Sequence, residues 1–393
     1  MTKNILIFEP DASGHHSGYL YHLIINYLQN NYNFKLLVLV APNFFTEHPQ
    51  IIEKTISKNV VWLSFSEEEY QRWLQPKSVL QRANFEWKLF CQYAKTYNAH
   101  EGLLMYIDYL QLAILTQTPP PCLISGILFR PTLVNYHADS WKEKLNHWRK
   151  ALILKQVLKQ KVVRHIFNLD PFATQFIQEK WGSKKVQFLP DPVQIYPSQQ
   201  SISDTKTLLG IERNRTVFLI FGFLDSRKGI SDVMNALEAI DKEKSKKGTL
   251  LLVGPWEESE RQKFDNQLDT LKNKTYFQIL LVDKFIPDEE IQPYFEITDY
   301  VLALYDKHIG MSAITVRAAA AQKPLLTYDF GLMGKMVSEH ELGLIVKQDL
   351  PDTIEKLLTE NVEVGNKQKM KQYADLNRAE NYAKVILEAL ESN

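Results

Sequence analysis

Cysteine is scarce in this sequence, and long apolar runs are missing from it. The only two cysteines among 393 residues are Cys91 and Cys122, which are too few for a disulfide framework or a cysteine metal site. No apolar run approaches the roughly 18 residues that span a bilayer. The sequence opens directly on a strand-like segment without a charged and apolar signal region before it. We therefore expect a cytoplasmic protein without a transmembrane segment, and peripheral contact with a membrane stays open.

The sequence also lacks an excess of charge of either sign. Lys and Arg together number 46, as do Asp and Glu, so the chain as a whole offers no general attraction for nucleic acid. Its 45% hydrophobic content is that of an ordinary globular protein. A chain of this length exceeds what a single core usually supports, and two domains are expected.

Two phosphate-binding motifs are absent. Neither GxGxxG nor GxxxxGK[ST] occurs, and the first absence disfavours a nicotinamide-dependent oxidoreductase. What the sequence does contain is a repeated strand, loop and helix. ILIF near the N-terminus and TVFLIF at residues 216–221 each precede a glycine-containing loop and an amphipathic helix. The pattern predicts an α/β protein with two Rossmann-like, doubly wound parallel sheets.

A proline-rich segment, FLPDPVQIYPSQQSISD, separates the two halves and is the best linker candidate. We predict a first domain at residues 1–192, a second at 193–366 and a charged helical tail at 367–393, which could pack back on the first domain. Within the first domain, residues 44–98 have a helical and aromatic-rich pattern.

The stretch at residues 300–334 combines a buried strand, a glycine turn and a helix that begins near Ser312. The backbone N–H groups and the positive dipole end of such a helix would face the upper edge of the sheet, where they favour an anion. An ordinary strand-to-helix turn is the alternative interpretation.

A second cluster follows the first strand of the second half. Gly222 opens a loop that carries Arg227 and Lys228 and leads into a helix. Two adjacent cations beside a tight turn suit a diphosphate, although solvated charges on an exposed turn would show the same pattern. The loop and the residue 310 turn both leave the carboxyl edge of the same predicted sheet, where α/β proteins bind ligands.

The first half has weaker candidates. Gly14 would let a ligand approach the backbone closely, and His15 or His16 could donate to a phosphate or a hydroxyl; a plain loop is equally compatible. Asp108 interrupts apolar sequence, which is costly unless the carboxylate is paired or used.

Three residues near the predicted sheet of the first half form a further group: His100, Asp108 and Arg130. We predict that they face an acceptor substrate. An ion pair between Asp108 and Arg130 is the structural alternative.

Taken together, these segments resemble GT-B glycosyltransferases of the group 1, family 4-like type. The likeness rests on the loop with Arg227 and Lys228, on DKFIPDEEIQPYFEITDYVLALY and on RAAAAQKPLLTYDFGLMG. It covers nearly the whole chain and is strongest in the second half. It implies two Rossmann-like domains facing each other across a cleft, and transfer of a sugar from a nucleoside diphosphate sugar to a hydroxyl acceptor. It also implies retention of configuration, with no metal and no further cofactor.

The resemblance assigns residues to the donor. Lys228 matches the family's diphosphate-binding lysine, Phe223 stands where an arginine is usual, and Arg227 could substitute for that arginine. We predict catalytic roles for Asp108, Arg227 and Lys228. We predict that the diphosphate and sugar are also bound by the phosphate-facing turn and by two glycine loops. The turn comprises Gly310, Met311, Ser312 and Ala313, and the loops contribute Gly14, His15 and Gly222.

The sequence departs from the family at a pair of glutamates. Ile309 and Arg317 occupy the two positions, so a glutamate contact to the ribose is lost. We predict that Arg317, with Lys284 and Phe285 in the base-facing turn, lies at the nucleotide base or ribose; Phe285 could instead be a packing residue. The missing carboxylates leave an alternative open, a non-catalytic sugar-binding or partner subunit. The acceptor could be a saccharide, a lipid-linked molecule or a small molecule.

Overall fold

A computed structural model describes residues 3–14, 16–76, 78–134, 140–198, 200–347, 349–360 and 362–392. The chain divides into two compact units. Unit 1 comprises Met1–Pro192 and Ala379–Asn393, and unit 2 comprises Val193–Arg378.

Unit 1 contains a seven-stranded parallel sheet with the order β3-β2-β1-β4-β5-β6-β7. Its strands are β1 (Lys3–Glu9), β2 (Phe34–Val40), β3 (Val60–Ser64), β4 (Glu101–Leu104), β5 (Leu123–Leu128), β6 (Val163–Asn168) and β7 (Val186–Phe188). Its helices are α1 (His16–Gln29), α2 (Asn43–Glu47), α3 (Pro49–Thr55), α4 (Glu67–Leu74), α5 (Val79–Thr96), α6 (Gln111–Thr116), α7 (Trp141–Lys159) and α8 (Pro171–Trp181).

Unit 2 repeats the plan with six parallel strands in the order β10-β9-β8-β11-β12-β13. The strands are β8 (Thr216–Phe221), β9 (Gly248–Val253), β10 (Gln278–Val282), β11 (Tyr300–Ala303), β12 (Leu325–Tyr328) and β13 (Gly343–Val346). The helices are α9 (Ile202–Leu208), α10 (Ile230–Ala239), α11 (Lys242–Ser245), α12 (Glu258–Lys274), α13 (Asp288–Glu296), α14 (Ala313–Ala320), α15 (Gly331–Glu339), α16 (Leu350–Thr359) and α17 (Lys367–Leu376); α18 (Ala379–Glu391) returns to unit 1.

Helices cover both faces of each sheet, so the central strands are apolar on both sides. In β1, Ile5 and Ile7 belong to one core cluster while Leu6 and Phe8 belong to the cluster on the opposite face. Successive side chains of a strand point to opposite faces, so a continuous apolar run is what a strand covered on both sides requires. The predicted fold class, two doubly wound parallel sheets, is confirmed.

The structure corrects the prediction for residues 44–98. This region contains β3 at Val60–Ser64 between short helices, and β3 lies at one edge of the sheet. β3 is a short apolar run, VVWL, inside an aromatic-rich region of helices, so the sequence pattern did not separate it from its surroundings. The sequence pattern also did not indicate β7 and β13, edge strands of only three and four residues.

The predicted tail is split between the two units. α17 packs against α14 in unit 2, and α18 packs against α1 in unit 1. Within unit 1, Tyr19 of α1 donates a hydrogen bond to Asp191, and the rings of Tyr19 and Tyr382 of α18 pack edge to face with their centres 5.3 Å apart. Among the described residues, no helix combines the length and apolar character that crossing a bilayer requires.

Candidate functional site

The strand order of each unit reverses direction at one place. In unit 1 the reversal lies between β1 and β4, and in unit 2 between β8 and β11. Loops that leave adjacent strands there run in opposite directions and open a crevice at the carboxyl edge, which is where doubly wound sheets bind ligands. In unit 2 the loops concerned are residues 222–229 and 304–312.

Lys228 is held at this edge by both neighbouring strands. Its Nζ donates to the main-chain oxygen of Phe221 at 2.7 Å and to the Tyr305 hydroxyl oxygen at 2.9 Å. The ammonium group also lies 4.6 Å from the centre of the Tyr305 ring. These contacts fix a cation at the mouth of the crevice before any ligand arrives.

Two glycines make this arrangement sterically feasible. Gly222 has φ +98°, and a Cβ there would lie 3.1 Å from Lys228 Nζ. Gly229 has φ +68°, and a Cβ there would lie 2.2 Å from the main-chain oxygen of Leu304. The loops after β8 and β11 can therefore touch, and the Asp306 amide donates to the Arg227 carbonyl at 3.0 Å.

Arg227 is paired with Asp225. Its Nε lies 2.8 Å from Asp225 Oδ2, and a terminal nitrogen of the guanidinium contacts the same oxygen. The hydrogen bond to Asp225 raises the pKa of Arg227 above its usual value. The Arg227 side chain is nevertheless 70% exposed, so an anion at the crevice would have to share the guanidinium with Asp225.

The turn at residues 310–313 leads into α14. Ser312 precedes the helix in an extended conformation and does not cap it with its side chain. The first amides of a helix have no acceptor within the helix, and their dipoles favour a negative charge. His308 stabilises the turn, since its Nε2 lies 3.1 Å from the main-chain oxygen of Met311. Ala313, the first helical residue, is exposed.

Arg317 is buried and paired within unit 2. Its side chain is 6% exposed, and a terminal guanidinium nitrogen lies 2.7 Å from Asp288 Oδ1. A second nitrogen lies 3.4 Å from the main-chain oxygen of Gln194. Arg317 thus connects α14 to the start of α13 and to the segment that enters unit 2.

The turn after β10 carries Lys284 and Phe285. Phe285 is 77% exposed, so the interpretation of Phe285 as a packing residue is wrong. Asp283 in the same turn forms an ion pair with Arg261. Lys284 borders a groove of about 660 Å³ between α9 and α13.

The corresponding crevice of unit 1 contains a carboxylate and histidine pair. Glu9, at the end of β1, is 2% exposed, and its Oε2 lies 2.9 Å from His16 Nδ1. Burial raises the pKa of Glu9 despite the opposing effect of His16. Burial lowers the pKa of His16, but the hydrogen bond and charge of Glu9 outweigh it, so the pKa of His16 is raised. Gly14 and His15 were predicted to contact the donor. A Cβ added at Gly14 would meet no atom within 4 Å, and His15 lies outside the described residues.

Asp108 is engaged with the main chain. Its two carboxylate oxygens accept the amides of Phe129 at 2.9 Å and Arg130 at 2.7 Å. Burial raises the pKa of Asp108 to about 6, although these two hydrogen bonds oppose the rise. The carboxylate therefore fixes the chain after β5, and its predicted role toward an acceptor remains a prediction.

The structure separates His100 from the other two residues of its predicted group. His100 precedes β4, and its Nδ1 accepts the Asn4 amide at 3.0 Å, so it lies at the amino edge of the sheet. Asp108 and Arg130 follow β4 and β5 and lie at the carboxyl edge. Because a parallel sheet places the two ends of its strands on opposite edges, His100 does not join the predicted acceptor group.

Part of the chain matches a known protein family. Residues 203–377 match the family model described as glycosyl transferases group 1. The match covers less than half of the chain and shows that this segment is similar to that family. It contains the Lys228 loop, the residue 310 turn and the helix that follows.

Solved structures show the fold of the whole chain. Anabaena HepE in complex with UDP is 16% identical, with a TM-score of 0.67 and full coverage of both chains. A glycosyltransferase from Rickettsia africae is 15% identical, with a TM-score of 0.65 and the same coverage. An E. coli structure described as trehalose-6-phosphate bound with UDP-2-fluoro glucose is 14% identical, with a TM-score of 0.65, 100% of this chain and 99% of that chain covered. A search of curated protein sequences gives no match. The resemblance to group 1 GT-B glycosyltransferases is confirmed.

Within the matched segment, the two residues that we predict to stand at the family's glutamate positions, Ile309 and Arg317, have contacts inside unit 2. The Ile309 carbonyl accepts the amide of Leu332 at 3.1 Å, and Arg317 pairs with Asp288 as described above. The donor, catalytic and acceptor roles assigned to individual residues remain predictions.

Sequence reasoning missed three residues of these crevices: Glu9, Asp225 and Tyr305. Each lies at or just beyond the end of a strand next to a strand-order reversal. For two of them the sequence offered a signal, because a polar residue follows an apolar run: Glu9 in ILIFE and Tyr305 in YVLALY. Within the described part of the chain, no group of three or more His, Cys, Asp or Glu side chains is placed to hold a metal ion.

Proposed function

We propose that this protein transfers a sugar from a nucleoside diphosphate sugar to a hydroxyl acceptor. The observation that carries the proposal is the placement of Lys228. The Lys228 ammonium group is held by the Tyr305 hydroxyl at the strand-order reversal of unit 2. The residue 310 turn and α14 start from the same edge of the sheet, and all of these residues lie in the segment that matches the glycosyl transferase model.

The donor diphosphate would contact Lys228, Arg227 and the first amides of α14. Negative charge builds up on the leaving diphosphate as the glycosidic bond breaks, and fixed donors aimed at that charge lower the barrier. In this mechanism the side chains and the helix terminus neutralise the charge without a metal. No further cofactor takes part.

Retention of configuration belongs to the same proposal. The leaving phosphate oxygen would accept the proton of the attacking hydroxyl, so that no protein base is required. The acceptor, whether a saccharide, a lipid-linked molecule or a small molecule, would use the crevice of unit 1 with Asp108 and Arg130. A cytoplasmic location is part of the proposal, since nucleotide sugars are its substrates.

The first donors to test are UDP-sugars, because three of the similar structures are described as holding UDP or a UDP-sugar. Purified protein is incubated with each donor, and released UDP is measured with and without candidate acceptors. Release of UDP that requires Lys228 supports the proposal. Binding of a donor without release or transfer would favour the non-catalytic alternative, and the absence of both with UDP-, GDP- and ADP-sugars alike would contradict the proposal.

A further inference from the structure

One side of α7 presents large apolar side chains to solvent. Trp141, Leu145, Trp148 and Leu152 are 69%, 54%, 63% and 42% exposed. They follow one another at intervals of four, three and four residues. Residues at this spacing lie on one face of a helix, so the four side chains form a continuous stripe, which we call the outer stripe.

The outer stripe is separate from the face that holds α7 in unit 1. The buried residues of α7 are Leu154, Val157 and Leu158, all in its C-terminal half. Among residues 141–150 none is buried. The helix is therefore anchored at one end and carries an additional apolar face that the unit itself does not cover. Contiguous apolar surface of this kind marks an interaction site.

Basic residues flank the outer stripe. α7 contains six lysines and arginines and a single acidic residue, Glu143, although the chain as a whole has no net charge. Helical geometry places Lys142 and Arg149 on one side of the stripe and Lys144 and Lys155 on the other. The outer stripe of α7 therefore has basic residues along both of its sides.

We propose that the outer stripe of α7 binds the surface of an anionic lipid bilayer. Tryptophan favours the boundary between acyl chains and headgroups, and lysine and arginine side chains on both margins can reach anionic headgroups while their stems cover apolar surface. The helix would lie in the plane of the interface with its apolar side chains inserted. A purely apolar protein interface would gain nothing from the flanking cations, whereas an anionic bilayer is complementary to both features. This inference does not depend on the proposed function.

The test is sedimentation of the full chain with vesicles of phosphatidylcholine, with and without about 30% phosphatidylglycerol. The apolar variant is Trp141→Gln/Trp148→Gln, and the charge variant is Lys144→Gln/Arg149→Gln. Ile56→Gln/Val79→Gln is the matched control, because these apolar residues of the same unit are 68% and 67% exposed. Thermal unfolding without vesicles verifies that each variant folds.

We expect the wild type and the control to bind anionic vesicles and to bind neutral ones more weakly. The apolar variant should lose at least about tenfold in partition coefficient, and the charge variant should lose a similar factor on anionic vesicles only. The inference is overturned if the wild type does not bind, or if the apolar variant binds as well as the control. It is also overturned if gel filtration shows a wild-type dimer that the apolar variant dissociates, since a second copy would then cover the stripe.

Discussion

Lys228 and Tyr305 join two loops of unit 2 at the strand-order reversal, with 2.9 Å between the ammonium nitrogen and the hydroxyl oxygen. Lys228 follows β8 and Tyr305 follows β11, so the contact bridges the two loops that form the crevice. The cation is held in place by the fold, and a diphosphate would meet a preorganised donor.

Replacement of Lys228 by alanine should remove most of the activity. Because the lost ammonium group would stabilise charge that develops on the leaving diphosphate, we expect kcat/KM to fall by on the order of a hundredfold or more. Steady-state release of the nucleotide measures the effect. Lys263→Ala is the control, since that lysine is 71% exposed on α12, and equal activity of the two variants would contradict the assignment.

Gly222→Ala should weaken donor binding through Lys228. The backbone at Gly222 has φ +98°, and the new methyl group would lie 3.1 Å from Lys228 Nζ, so the ammonium group must move. Gly210 in the same unit has φ +69° with open space around it. We expect both alanine variants to lose on the order of 1 kcal/mol of stability. Only Gly222→Ala should raise the donor Kd in calorimetry, and a similar rise for Gly210→Ala would refute the steric explanation.

Arg317 and Asp288 should be energetically coupled. The Arg317 side chain is 6% exposed while that of Asp288 is 49% exposed, so solvent screens the pair in part and the coupling should be about 1 kcal/mol. A double-mutant cycle with Arg317→Met and Asp288→Asn, followed by urea unfolding, measures it. Additive losses would show that the contact has no energetic role.

The same variants test the predicted contact of Arg317 with the nucleotide. If Arg317 acts only between α13 and α14, Arg317→Met should leave the donor Kd within about threefold of the wild type once both proteins are fully folded. A much larger rise would support the prediction that Arg317 binds the base or ribose.

The fold could be predicted much further than the site. Apolar strands buried on both faces, such as β1, have a sequence pattern that depends only on their own residues, and so the two sheets could be inferred. The loop with Lys228 was found because its charges follow a strand directly. The side-chain partner of Lys228 could not be found, because Tyr305 is 77 residues away from Lys228 and sequence alone does not give such proximity. His100 was misplaced because nearness in sequence does not distinguish the two edges of a sheet.

A buried carboxyl group in unit 1 should make stability depend on pH. Burial raises the pKa of Glu86 from 4.5 to about 7, even though Trp73 and Tyr109 donate hydrogen bonds to it. A raised pKa means that the folded state favours the protonated form. The stabilisation is therefore complete below about pH 4.5 and is lost as the pH rises through about 7.

We expect Glu86→Gln to reduce this pH dependence. The rise in pKa corresponds to on the order of 3 kcal/mol, and the glutamine amide can retain a hydrogen bond to each partner. Urea unfolding at pH 5 and pH 8 measures the slope, with Glu68→Gln as the control because Glu68 is 75% exposed. An unchanged slope in Glu86→Gln would show that Glu86 does not titrate in this range.

The most direct test of the account is the thermal stability of the full chain in the presence of UDP-, GDP- and ADP-sugars. A donor present at 100 times its Kd adds about 2.7 kcal/mol to the stability of the form that binds it. We predict that at least one of these nucleotide sugars raises the Tm of the wild type and that Lys228→Ala abolishes the rise. No shift with any of them, or an equal shift in Lys228→Ala, would contradict the claim that Lys228 binds the donor diphosphate.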